Sequence, residues 1–295
     1  MCNRPRGRRA VVALSVVVAV AVAGCSSNEG KRKPTGRHRS VKSTPSAENK
    51  RAPEPKTAAQ FVARAQHGMR GEKGWTFAVS GSESVAMRGQ APSSATYAAT
   101  VHRTTAPEAL QQTGTITTSK GERKPELVYV VGGTGYVKEG ADAWKKGPLT
   151  DTGIADDVED PLAELHDFAA YAKSAKVSRA GAGDGRVRLQ VTASGWQLSA
   201  ARTRPALKRA VREAEPTLAQ LRRAGVTATD GQITLRSFTE TWDLDAVHGY
   251  RVAAHRYAFT FLVPFQGGDI TMSQEVRADN RGVFTGSVEL PDGAQ

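Results

Sequence analysis

Few side chains in these 295 residues are of a type and spacing to do chemistry. The six histidines stand at positions 38, 67, 102, 166, 248 and 255, and only His248 and His255 lie close together. Their odd separation puts them on opposite faces of a regular strand, which argues against a shared metal ion. The acidic stretch Asp151, Asp156, Asp157, Glu159, Asp160 and Glu164 has the oxygen ligands that calcium takes. It reads better as a solvated loop whose carboxylates favour the N-terminus of the following helix. Gly132-Gly133-Thr134-Gly135 lacks the third glycine of a dinucleotide fingerprint and reads as a hairpin turn. Gly24 to Lys31 is one residue too long for a phosphate-binding loop. No G-x-S-x-G elbow, H-E-x-x-H pair or EF-hand loop is present. The expectation is a protein that is not an enzyme, with no catalytic residue, metal or cofactor.

One cysteine stands apart. Arg4, Arg6, Arg8 and Arg9 precede an apolar run from Ala10 to Ala23, and Val22-Ala23-Gly24-Cys25-Ser26-Ser27 follows. A basic start, a short apolar run and small residues at the cut mark an export signal. The run falls short of the roughly 20 apolar residues that span a bilayer as a helix. Ending on Cys25, the segment resembles the bacterial lipoprotein lipobox, which implies cleavage after Gly24 and acylation of the Cys25 thiol. Cys2 is the only other cysteine, so the processed chain has no disulfide and must be held by its core.

The net charge of +12 suggests nucleic acid until it is located. Four positive charges are the leader arginines. Residues 26–56 carry nine Lys or Arg against three Glu, and only +2 remains for everything beyond. A nucleic-acid binder carries its charge on the domain that docks, so none is expected. Residues 25–56 read as an acylated cysteine and a disordered basic tether, since they hold almost no large apolar side chain. Beside anionic lipid the tether would add attraction; as a plain spacer it would only add reach.

The remaining residues, 57–295, read as one α+β domain. Thr57 and Gln60 form a capping box ahead of Ala58, Phe61, Val62, Ala65 and Met69, which share one helical face. The period then becomes two: Trp75, Phe77 and Val79; Tyr97, Ala99 and Val101; a Thr-rich stretch around Ile116; and Leu127–Val131 with Gly135–Lys138 hinged at Gly132-Gly133. Such a series is an antiparallel meander. Asp160-Pro161 opens a second helix with Leu162, Leu165, Phe168, Ala169 and Ala172 on its buried face. Strands around Val177 and Val187–Val191 follow, joined by a turn at 181–185. A third helix runs from Pro205 to Arg223, which Pro216 should kink or split. Four strands end the chain: Gln232–Leu244, Tyr250–Pro264, Asp269–Ala278 and Gly282–Leu290, with turns at Asp245–Gly249 and Asp279–Gly282.

The most suggestive apolar feature is the stripe Tyr257, Phe259, Phe261, Val263 and Phe265, at strict two-residue spacing on one strand face. Exposed aromatics in such a row would cost several kcal/mol, so the stripe must face something apolar. It is either ordinary core under the helices or, with Trp75, Phe77 and Val79, the lining of a cavity for an acyl chain.

The leader, the helix ending before Trp75, and Gly135-Tyr136-Val137-Lys138 followed by a turn and Trp144-Lys145-Lys146 resemble the exported lipoproteins related to the mycobacterial glycolipid-binding lipoproteins. A more distant likeness is to the lipoprotein carriers and lipoprotein-sensing regulators. The resemblance covers the order of elements over about residues 57–290. It implies a strongly curved antiparallel sheet, a half-barrel, with helices packed on its concave face and an apolar hollow between. It further implies a lipid-anchored protein on the extracytoplasmic face of the cell membrane, binding or carrying a lipid, glycolipid or other amphiphile. The tentative ligand contacts are Trp75, Phe77, Val79, Phe259, Phe261 and Val263. An envelope sensor or regulatory module with a protein partner is the alternative, and an unrecognised hydrolase a third. Tyr136 and Trp144 either pin their hairpin or touch ligand.

Overall fold

The structure is a computed structural model and describes residues 53–179 and 185–294. The leader, Cys25, most of the tether and most of the turn at 181–185 lie outside the described residues. Among those described, no helix is long and apolar enough to cross a membrane.

Helix α1 (Ala58–Arg70) starts as its sequence dictates. The Thr57 side chain accepts from the Gln60 backbone while Gln60 reaches back, closing the capping box, and Ala58, Phe61, Val62, Ala65 and Met69 are its buried residues. The indole N–H of Trp75 donates to the Met69 carbonyl at 2.7 Å, tying the end of α1 to the first strand.

Six strands follow as a meander: β1 (Gly74–Met87), β2 (Ser93–Thr105), β3 (Glu108–Thr118), β4 (Arg123–Val131), β5 (Thr134–Glu139) and β6 (Lys145–Pro148). Gly132 and Gly133, both at positive φ, make the two-residue turn between β4 and β5. That geometry matches the right-handed twist of a hairpin and is open to glycine without strain. The chain then crosses the sheet through α2 (Thr152–Ala155), α3 (Pro161–Phe168) and a 3-10 turn (Ala172–Ser174). Next come β7 (Lys176–Arg179), β8 (Arg186–Ala193), the two-residue β9 (Trp196–Gln197), α4 (Leu198–Ala201) and α5 (Lys208–Arg223). Three long strands close the fold: β10 (Thr234–Asp245), β11 (Arg251–Phe265) and β12 (Gly268–Val283).

All twelve strands belong to one antiparallel sheet of order β6-β5-β4-β3-β2-β1-β12-β11-β10-β8-β7, with β9 on β10. This is the α+β architecture expected: an open, curved sheet with the helices on its concave face. Pairing of β1 with β12 unites the first and last thirds of the chain. Both edges are short strands carrying lysine or arginine, and β6 ends in Pro148, devices that discourage pairing with other chains.

Three expectations need correcting. Asp279–Gly282 is not a turn but part of β12, where the register against β1 slips between Thr76 and Phe77 and leaves Arg281 as the extra residue of a bulge. Asn280 supports it, donating to the Val252 carbonyl at 2.7 Å and accepting from the Gly282 N–H at 2.8 Å. Consequently Gly282–Leu290 is no separate strand. Residues 284–294 instead run outside the sheet, with Phe284 stacked on His102 and Val288, Leu290 and Ala294 packed beside Tyr129, Tyr136 and Trp144. Nor does Pro216 split the third helix, since α5 is continuous from Lys208 to Arg223 with Pro216 inside it. A missing N–H costs about one helix hydrogen bond, and the burial of Ala210, Val211, Ala214 and Leu218 outweighs it.

Candidate functional site: a carboxylate-lined hollow

Inward-facing residues run in rows across the sheet, and the rows change character midway. One reads Trp242, His255, Ala278, Val79, Ala99, Gly114, Glu126 and Glu139 from β10 to β5. The next reads Glu240, Tyr257, Val276, Gly81, Tyr97, Ile116 and Lys124. The first passes from Trp242 and His255 to Val79, Ala99 and Gly114 before ending on two carboxylates, and the second from Glu240 and Tyr257 to Gly81, Tyr97 and Ile116.

The bulky region takes in β10, β11 and the first half of β1. Trp75, Phe77, Val79, Phe259, Phe261 and Val263 are each at most 3% exposed and belong to one hydrophobic cluster with α1, α3 and α5. Phe259 meets Tyr257 and Phe261 edge to face, with centroids 5.9 and 5.5 Å apart. The structure thus places all six sequence-derived ligand candidates in the packed core. Of them, Phe259 alone borders either of the two cavities described next.

The other half leaves room. A cavity of about 120 Å³ lies over β1–β5 and β12, beneath the segment joining α2 to α3. Its apolar walls are Gly81, Ala95, the Tyr97 ring, Ile116 and Val276. The hollow exists because the sheet offers no bulk there. A methyl on Gly81 would meet the Glu275 carbonyl at 3.1 Å, and one on Gly114 would strike the Tyr97 ring at 2.7 Å. Tyr97 therefore lies across Gly114 instead of standing up to fill the space. A second cavity of about 120 Å³ shares Glu83, Ala95 and Gln274 with the first and runs under α5 past Pro216, Phe259 and Met272. Each is close to the roughly 150 Å³ cavity that holds a benzene molecule.

Charge distinguishes the first cavity. Glu83, Glu126 and Glu139 line it from the sheet, and Asp156, Asp157 and Glu159 from the crossing segment, with Lys124 the one lysine or arginine among the described lining residues; Glu275 contributes backbone there and turns its side chain to the other face. Lys124 holds Glu139 at 2.8 Å, joined from outside by Lys145 at 2.8 Å. Burial opposes the charge on Glu139, but the two lysines outweigh it and keep the carboxyl below its ordinary range. Burial, and after it the charge on Glu126, drives the Tyr97 hydroxyl upward, so it stays protonated.

One fully buried glutamine fastens the crossing segment. Gln112 on β3 donates to the Asp157 carbonyl at 2.7 Å and to Glu126 at 3.2 Å, and accepts from the Glu159 N–H at 3.0 Å. Arg103 on β2 adds a second tie, 2.7 Å from Asp160, the residue whose other oxygen caps α3. The acidic stretch is therefore not a solvated loop. Asp156 pairs with Arg212 at 3.1 Å and Glu159 with Arg209 at 3.1 Å.

Behind the cavity sits a buried ionic network. His255, 1% exposed, lies 2.8 Å from Glu164 and 3.2 Å from Glu240, and stacks on Trp242 with centroids 3.8 Å apart. Tyr171 donates to Glu240 at 2.7 Å. Arg209 pairs with Glu164, Glu213 and Glu159 and lies over the Tyr257 ring. Burial disfavours the imidazolium, yet Glu164 and Glu240 hold His255 up at about 9. Burial likewise works against ionised Glu164, but Arg209 and His255 pull it to about 2. At Glu159 burial prevails over Arg209, and with Glu164 and Glu213 adding repulsion the carboxyl rises to about 8. His255 borders neither of these two cavities; its link to the first runs through Glu164 and Arg209 to Glu159. Among the described residues no group of three or more His, Cys, Asp or Glu is arranged to hold a metal ion.

The sequence reading missed this network, though a signal was present: Glu240 and His255 fall at inward positions among Phe238, Trp242 and Tyr257. An ionisable residue in the apolar phase of a strand implies a buried partner.

No family model and no curated protein matches the chain. Three solved structures align over most of it. Rv2717c from M. tuberculosis shares 8% identity with a TM-score of 0.22, covering 78% of this chain and all of its own. A beta-barrel-like protein of the domain of unknown function DUF1849 from Brucella abortus shares 6%, at 0.23, covering 72% and 99%. The LolA superfamily protein NE2245 from Nitrosomonas europaea shares 11%, at 0.23, covering 81% and 96%. Likeness at this level carries no function across.

Proposed function

We propose that this chain is a lipid-anchored extracytoplasmic binding protein that holds a small amphiphile, or one acyl segment of a larger lipid, without chemistry. The observation that supports this is the pair of adjoining cavities on the helix-covered face, whose shared walls Ala95, Glu83 and Gln274 make them one path. Burying about five methylenes there would release on the order of 4 kcal/mol before ordering costs. The ligand site moves accordingly from the aromatic stripe to the glycine- and alanine-floored half of the sheet, with Phe259 at its far end. The leader ending on Cys25 supplies the anchor in this reading, and the basic tether supplies reach.

Native mass spectrometry of the full chain tests the binding half: a retained lipid-like mass, lost on delipidation and recovered with added fatty amine, fatty acid or lipid, supports it. No uptake of any of these by delipidated protein would refute it. Labelling with radioactive palmitate, abolished by Cys25→Ala, tests the anchor. A sensor on the same fold would instead give a reproducible cross-linked protein partner with the hollow empty. The carboxylates of the hollow also give a hydrolase a foothold absent from the sequence, and turnover of an ester or glycoside lost in Glu126→Gln would establish it.

A further inference from the structure

Positive charge on the folded domain is gathered at one end. We propose that this end, built from the β1–β2, β3–β4 and β11–β12 turns and the C-terminus of α5, docks on an anionic membrane surface. The proposal rests on the anchored, extracytoplasmic reading above. Strand pairing brings these parts together: Met87 faces Ile270, Val85 faces Ser93, and the Ser119 N–H donates to the Ser94 carbonyl at 2.7 Å. Leu235 pairs with Trp196 and, through Phe261 and Met272, lies level with Val85. Six cations stand there, Arg88, Lys120, Arg123, Arg204, Arg223 and Arg236, all of them exposed. None pairs with a carboxylate among the described residues; Arg223 donates to the Ala219 carbonyl of its own helix. Of the nearby carboxylates, Glu215 and Asp230 are held by Arg202 and Arg222, and Glu122 is buried, which leaves Asp269 exposed at the start of β12. Residues beyond 56 sum to only +2, so the rest of the domain is net acidic.

Three further observations select a lipid surface as the partner. Arg204 lies over the half-buried Trp196 ring, 3.2 Å from its centroid, and an indole among cations suits the level of lipid headgroups. The second cavity also reaches this end, since Val85 and Ser93 border it and flank the β1–β2 turn. Docking there would set that chamber beside the bilayer. Chain length fits as well. Helix α1 packs at the opposite end, with Phe61 on Tyr250 and Gly68 close to Gly249. Strand β1, 14 residues long, spans about 45 Å between the two ends. The roughly 30 residues from Cys25 to Ala58 can extend to about 100 Å, enough for a chain anchored at Cys25 to turn its far end to the membrane. Each cation held near anionic lipid strengthens adhesion about fivefold.

The test places the processed full chain on vesicles of phosphatidylcholine, alone or with about 30 mol% phosphatidylglycerol. Cleavage removes Cys2 and acylation consumes Cys25, so a cysteine introduced by Ala91→Cys or Val247→Cys takes a fluorophore alone. Ala91 is exposed in the β1–β2 turn, and Val247 is exposed in the β10–β11 turn at the opposite end. A headgroup-attached quencher should dim the label at 91 about threefold more than the label at 247, and only with phosphatidylglycerol present. Sodium chloride at about 0.5 M should remove the difference. Arg88→Glu combined with Arg223→Glu should abolish it, whereas the same charge change at the other end, Arg186→Glu with Arg281→Glu, should leave it intact; circular dichroism checks that both fold. Equal dimming of the two labels, or a difference that persists on pure phosphatidylcholine or in the first double variant, would overturn the docking end. A chain that does not float with phosphatidylcholine vesicles would refute the anchor instead. The two double variants are then compared by flotation with phosphatidylglycerol vesicles, where the first should bind on the order of tenfold more weakly than the second, and equal binding would overturn the proposal.

Discussion

The two halves of one sheet solve the same folding problem in opposite ways. On β8, β10 and β11 the inward rows carry Leu189, Phe238, Trp242, Tyr257 and Phe261, all at most 1% exposed beneath the helices and none on the wall of either cavity described above. Around the cavity, from the second half of β1 to β4, the rows carry Gly81, Ala95, Ala99, Gly114 and Glu126 beside Tyr97 and Ile116, and Gln112 ties the crossing segment to the sheet through polar bonds instead of apolar packing. Strand alternation holds in both, and the register shifts twice between β10 and β11, near Leu235 and Asp243, but nowhere from β1 to β5. Backbone curvature therefore sets where a hollow can exist, and side-chain volume decides whether it does.

Truncation separates the halves most sharply. Phe261→Ala, in the fully packed half, should lower unfolding free energy by about 3–5 kcal/mol, whereas Ile116→Ala beside the existing cavity should cost about 1 kcal/mol or less, because little new void is made. Chemical denaturation of both variants measures the difference, and equal losses would mean the halves are packed alike. Gln112→Ala comes next. It strands the Asp157 carbonyl and the Glu159 N–H, so a loss of about 2–3 kcal/mol is expected, together with weaker binding of any guest in the hollow. Addition of bulk reverses the contrast: Ala210→Leu under the packed half should cost about 1–3 kcal/mol, whereas Ala95→Val should be nearly neutral because its methyls enter open space.

The smallest effect is the pH profile of the buried network. His255 is raised from 6.5 to about 9, so its contribution is full below 6.5 and lost as pH rises through 9. Glu159, raised from 4.5 to about 8, keeps in the folded state a proton the unfolded chain has shed, and stability again falls across that window. Glu164 acts oppositely, being pulled from 4.5 to about 2, so its contribution fades as pH drops through that range. Denaturation midpoints should peak near pH 5 and decline toward alkaline pH. His255→Gln should flatten the alkaline limb, and a profile unchanged by that substitution would show that His255 does not carry it.

Local signals were legible in the sequence wherever a single element decides the outcome. The capping box at Thr57, the five buried positions of α1, the Asp160 cap and the Gly132-Gly133 turn all follow from spacing and residue type. The stripe from Tyr257 to Val263 was legible as an apolar face, and burial of the six tentative ligand contacts, three on this strand and three on β1, follows from the same alternation. The position of the hollow was not. It depends on the register that brings Gly81, Tyr97 and Gly114 together across three strands, and a missing side chain leaves no mark in hydropathy. The bulge at Arg281 escaped for a related reason: Asp279-Asn280-Arg281-Gly282 has the composition of a turn, and only pairing with β1 shows that the strand continues.

The chain from Phe284 to Ala294 lies on the convex side of β3–β5, opposite the hollow, and Ala294 is buried against Tyr129 and Tyr136. Strands β4 and β5 are thus a thin partition, with Glu126 and Glu139 on one surface and the tail's Val288, Leu290 and Ala294 on the other. The tail therefore braces from outside the two strands whose other surface forms part of the cavity wall, and the far end of the chain takes part in holding that wall in place.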